Sequence, residues 1–188
     1  LLAVMDNPIQ DIPLAAVMRS PIVGMTDEEL AWMMAGFKKK GRKKQDRGIY
    51  GAWKLWLERA KQGGEDFFGG KREMEENICR KLVQLNSLLE HFRYLSGLLP
   101  MHQLLEQIYR ETGYYAYVSA MPAGETRRAN LDLLIEKAAA YEMTSYQGLF
   151  HFIRYIERLK KVETDFGEAA VAGSQESTVR IMSIHKSK

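Results

Sequence analysis

The sequence has a single cysteine, Cys79, among 188 residues, so no disulfide can form within the chain. A chain without disulfides suits a reducing compartment, and a cytoplasmic location is the expectation. No stretch approaches the ~20 apolar residues of a membrane span, and no membrane partner is expected. The first residues, Leu-Leu-Ala-Val-Met-Asp, have neither a basic region ahead of them nor a cleavage pattern, so no signal peptide is visible. There is no Gly-x-x-x-x-Gly-Lys-Ser/Thr phosphate loop and no Gly-x-Gly-x-x-Gly turn. The four histidines, His91, His102, His151 and His185, are scattered, and with one cysteine they form no metal-ligand spacing. No catalytic residue, no metal site and no cofactor is therefore expected in the chain itself. An initiator methionine is also missing and the sequence stops abruptly, so the expectation is an excised segment of a longer protein.

What is present reads as a soluble globular chain, 46% apolar and 27% charged, long enough for one large domain or two small ones. The formal net charge of +3 permits a nucleic-acid partner without requiring one. Most of the length carries helical periodicity, and a mainly α fold is the expectation. Asp11 and Pro13 open a short helix that Pro21 stops, and Thr26 with Glu29 form a capping box that starts another near Asp27. Leu30, Trp32, Met33 and Phe37 follow in that helix. A third, Tyr50 to Ala60, puts Trp53, Leu57 and Ala60 on one face with Trp56 beside them. The longest should run from about Arg72 to Leu98, because Met74, Ile78, Leu82, Leu85, Leu89, Phe92 and Leu95 recur at helical spacing. Pro100 restarts a helix bearing Leu104, Leu105, Ile108 and Tyr109, which Gly113 ends. Residues 114–121 suit either a short helix or a strand. Asn130 to Tyr141 and Ser145 to Lys160 complete the series, with Leu149, Phe152, Ile153, Ile156 and Leu159 marking the inner face of the last.

Three segments break this pattern. Between Lys38 and Arg47 stand seven Lys or Arg against one acid, Asp46, so Lys39, Lys40, Arg42, Lys43 and Lys44 are candidate DNA contacts. The plainer reading of such a run is a solvated turn, and both readings stand at this point. Trp53 and Trp56 lie just beyond it, but their helical spacing places them in the core rather than on a base-stacking platform. Residues 63–70 form a glycine-rich loop. Residues 162–177, rich in Glu, Ala, Gly and Ser, read as a linker. After them Thr178-Val-Arg-Ile-Met-Ser-Ile184 suits a strand, whose sheet must be supplied from elsewhere. His91, His102 and His151 lie in amphipathic helices, where packing or surface roles are the expectation.

The end of the chain carries a resemblance. Val179-Arg-Ile-Met-Ser-Ile-His-Lys-Ser-Lys188 is similar to the start of motif V of the UvrD/RecB-like superfamily 1 DNA helicases. That motif is a hydrophobic strand followed by Thr, an aliphatic residue, His, any residue, Ser or Ala, Lys and Gly-Leu-Glu. Ser183 stands where the family usually has Thr, and the sequence ends before the Gly-Leu-Glu with its nucleotide-linked Glu. Asn7 to Gly24, followed by Thr26-Asp-Glu-Glu-Leu30, resembles the segment that begins the 2B subdomain. Here the nearest likeness is to the AddA-type subunits of bacterial ATP-dependent helicase–nucleases. Arg127-Arg-Ala-Asn-Leu131 resembles a recurring Arg-x-x-Asn-Leu helix of the same region.

The resemblance implies a helical 2B-like insertion over residues 1–161, a linker over 162–177 and the truncated start of motor domain 2A over 178–188. It implies that Ser183, His185, Lys186, Ser187 and Lys188 lie beside the single-strand track, where hydroxyl and ammonium groups hold phosphates. For the parent it implies ATP and magnesium as cofactors. Its partners would be DNA and the second subunit of the helicase–nuclease complex. Its work would be 3′-to-5′ translocation, unwinding and end processing in break repair and recombination. The isolated piece would hydrolyse no ATP. The competing reading is an independent helical protein-interaction module with an exposed apolar groove. A free-standing enzyme finds almost no support.

Overall fold

The computed structural model describes residues 1–39, 48–62, 72–144 and 148–161, without the side chains of 38, 39, 62, 160 and 161. Within them lie α1 (Leu2–Asp6), α2 (Asp11–Arg19), α3 (Asp27–Lys39), α4 (Gly48–Gln62), α5 (Arg72–Ser96), α6 (Met101–Thr112), α7 (Tyr114–Ser119), α8 (Gly124–Glu142) and α9 (Leu149–Lys161). Every described element is a helix, so the mainly α expectation holds. The expected linker and strand, residues 162–188, and the glycine-rich loop lie outside the described residues.

The organising element is α5. Its 25 residues span about 37 Å at the α-helical rise. Ile78, Leu82, Leu85, Leu89 and Phe92 form its buried stripe, each no more than 1% exposed. Burying one such side chain contributes about 1.5–3 kcal/mol. Helices α1, α3, α4 and α6 pack against it. Met74 and Leu95, at the two ends of the expected stripe, are only half-buried. On α4 the buried side is Ala52, Trp53 and Trp56, while Leu57 and Ala60 are half-buried, so that face is turned slightly from the expected one.

The remaining helices close around this frame. Gly113 ends α6 in the left-handed region, φ 66°, as the sequence implies. Residues 114–119 then form α7, which packs on α6 and α8, and this settles the helix-or-strand alternative. Helix α8 starts at Gly124 instead of Asn130, and it contains the Arg127–Leu131 motif. On α9, Phe152 is buried against Tyr141 with ring centroids 5.4 Å apart, while Ile153, Ile156 and Leu159 are half-buried. Helices α1 and α9 lie against each other, so the first and last described helices are neighbours.

Candidate nucleic-acid interface

The cationic run sits between two helices that are packed on each other, α3 ending at Lys39 and α4 beginning at Gly48. One indole N–H joins the two helices to each other and a second joins α4 to α5. Trp56 Nε1 donates to the Met33 carbonyl at 3.1 Å, and Trp53 Nε1 donates to the Leu82 carbonyl of α5 at 3.4 Å. With Trp53 2% and Trp56 0% exposed, both indoles are core groups, as their spacing implies.

The start of α4 is held from α2. Asp11 Oδ1 accepts the Ile49 N–H at 2.8 Å, placing a carboxylate where the helix N-terminus favours negative charge. Gly48 has φ 78°, and a Cβ built there would overlap the Asp11 carboxylate. Only glycine meets both conditions. The first residues of α4 are therefore anchored to α2.

Of the residues singled out from sequence, Lys39 is the last residue of α3, and its side chain is among those not described. Lys40, Arg42, Lys43 and Lys44 lie outside the described residues, as do Ser183, His185, Lys186, Ser187 and Lys188.

The helical histidines have structural partners. Glu142, at the end of α8, accepts the His102 backbone N–H at 3.0 Å through Oε1, and its Oε2 lies 2.7 Å from His102 Nδ1. One carboxylate thus caps α6 and ties it to α8. His91 Nε2 lies 3.0 Å from Glu111, linking α5 to α6 at the surface. His151 meets the Phe150 ring on α9. Among the described residues no group of three or more His, Cys, Asp or Glu side chains could hold a metal ion. Burial pushes the Cys79 thiol up, against the pull of Arg59, which disfavours the thiolate a nucleophile needs.

Sequence patterns did not disclose a buried polar cluster between α3 and α5. Thr26 and Glu29 close the capping box in both directions: Thr26 N–H donates to Glu29 Oε2 at 2.8 Å, and Glu29 N–H donates to Thr26 Oγ1 at 3.1 Å. Glu29 is only 5% exposed and also accepts from Lys81 Nζ at 2.7 Å and from the Asn77 amide. Lys81 donates as well to the Gly24 carbonyl at 2.7 Å, fixing the turn before α3. Burial pushes the Glu29 carboxyl up, but the bonds from Lys81 and Thr26, the Lys81 charge and Asn77 together hold it below its ordinary value. Glu29 borders a cleft of about 740 Å³ whose walls also include Glu73, Glu76 and Arg80. Among the described lining residues, Glu73 and Glu76 stand against Arg80 while Glu29 is already paired with Lys81, which leaves no cationic excess for a phosphate.

No protein-family model matches the chain. Among curated proteins, the A subunit of an ATP-dependent helicase/nuclease from Bacillus cytotoxicus is 45% identical over 185 residues, covering 98% of the chain and 14% of that protein. Proteins of the same name from Bacillus cereus strain B4264 and Bacillus thuringiensis strain Al Hakam are 43% identical over 185 residues. The chain thus spans about 14% of the length of the relatives it matches.

Proposed function

We propose that this chain, homologous over 98% of its length to a stretch of AddA-type helicase/nuclease A subunits, is their helical 2B-like accessory segment. The carrying observation is that continuous homology, which runs across the whole helical body. The neighbouring positions of α1 and α9 support it, since a body inserted into another domain must receive and return the chain on one side. In this reading residues 178–188 rejoin the motor, and Ser183, His185, Lys186, Ser187 and Lys188 contact the translocated strand there. The parent protein uses ATP and magnesium at motifs elsewhere in its length to unwind and process DNA ends in recombinational repair.

The segment itself performs no chemistry. It is a rigid block against DNA or the second subunit, with the cations of residues 38–47 as its phosphate contacts. Two measurements test this. Sequencing the natural gene past Lys188 should give Gly-Leu-Glu at once, and any other sequence there removes the motif V assignment. Changing Lys39, Lys40, Lys43 and Lys44 together to Gln should weaken DNA binding equally for all sequences. It should also make the log–log salt slope shallower by roughly 0.9 for each duplex phosphate no longer neutralised. Unchanged binding across a salt titration would leave the run a solvated turn.

A further inference from the structure

A second cleft, of about 290 Å³, lies between α4 and α5, apart from the Glu29 cluster. Tyr50, Lys54, Leu57 and Lys61 line it at positions i, i+4, i+7 and i+11, a single stripe along α4. Across the cleft stands Arg93 of α5, which donates to the Met5 carbonyl at 2.8 Å and the Val4 carbonyl at 3.1 Å. Those bonds hold the guanidinium in the wall without neutralising it. Glu58 is the one carboxylate among the described lining residues, against three cations. Neither Lys54 nor Lys61 is ion-paired with a carboxylate among the described residues.

We propose that this cleft binds the phosphodiester backbone of nucleic acid, with Lys54 and Lys61 on phosphates and Tyr50 beneath a base. The two lysines stand roughly 10 Å apart along the helix, far enough to engage separate phosphates. Lys54 Nζ now rests 4.8 Å from the centroid of the Tyr50 ring, and the ring is braced edge-on by Trp53 at 5.8 Å. Moving the ammonium to a phosphate uncovers a ring already fixed in orientation, which suits stacking. An acidic peptide would use the cations and leave the ring idle. The proposal rests on the reading of the chain as DNA-contacting and names a surface for it.

The experiment is a fluorescence-anisotropy salt titration of the 188-residue chain with a labelled oligothymidylate, a mixed-sequence duplex and, as competitor, polyglutamate. The double variant Lys54→Gln/Lys61→Gln should make the log–log slope shallower by about 1.4 on the single strand and about 1.8 on the duplex. A charge-matched control, Arg128→Gln/Arg158→Gln on α8 and α9, should leave both slopes unchanged. Tyr50→Leu should weaken single-strand binding by roughly 5- to 100-fold and duplex binding far less. Thermal melting monitors folding, and the exposed lysine pair keeps the test valid if the Tyr50 variant unfolds. If the α4 lysine pair behaves like the control while the Lys39, Lys40, Lys43 and Lys44 variant loses DNA, the cleft proposal fails and the DNA reading stands. If the unaltered chain binds neither oligonucleotide at low salt, both fail. If polyglutamate displaces DNA from the unaltered chain but not from the lysine pair variant, and binds it more tightly than DNA, the cleft is a peptide site.

Discussion

At Glu29 a carboxylate is removed from water and kept charged by Thr26, Lys81 and Asn77, so its protonation is coupled to folding. The folded group titrates below its ordinary value of 4.5. Its contribution is therefore complete above about pH 4.5 and is lost as pH falls through the lower folded value. Urea midpoints should drop across that acid range, and in Glu29→Gln the drop should be smaller. At neutral pH the same change should cost about 1–3 kcal/mol, because Lys81 keeps its charge without its partner. Gly48 supplies a second single-residue test. Gly48→Ala forces a left-handed conformation on a residue with a Cβ and pushes that atom into Asp11. A loss of at least about 1–2 kcal/mol in urea unfolding is expected from the conformation alone. If Gly48→Ala melts like the unaltered chain, the Asp11 brace is not holding α4.

Among the helices, those with a strong apolar period were legible, and those whose surroundings decide them were not. The α5 stripe recurs every three or four residues, so Ile78 to Phe92 could be placed in the core from spacing alone. Leu89→Ala should cost about 2–5 kcal/mol, since the side chain is wholly enclosed and the helices around it cannot collapse fully. A smaller loss would mean that α5 is less central than its burial implies. The start of α8 was missed by six residues because Glu125, Arg127 and Arg128 are exposed and leave no apolar period to read. Residues 114–119 carry aromatic and β-branched side chains that suit a strand, and packing on α6 and α8 overrides that preference. Of the candidate sites, charge density could be read along the chain, but not what faces it. Lys54 and Lys61 became a cleft only when α5 brought Arg93 opposite them, and Glu29 met Lys81 only across 52 residues.

For the whole molecule, a pure sample should show mainly helical circular dichroism and background ATP turnover with or without DNA, and DNA-stimulated hydrolysis would overturn the accessory reading. The packing of α1 on α9 has a consequence for connectivity. Where a body receives and releases its chain on adjacent helices, the order of its segments can be rotated without disturbing the packing. Joining Lys161 to Leu1 through a flexible linker and opening the chain between Gly97 and Leu98, in the turn after α5, should give a folded circular permutant. The entropy cost of the closing loop grows only slowly with its length. The new bond also converts the Leu1 ammonium, which burial already disfavours, into an amide. The permutant should unfold in one cooperative transition near that of the parent chain. A permutant that stays unfolded would mean that the helix order itself, and not only the packing, is required to assemble the bundle.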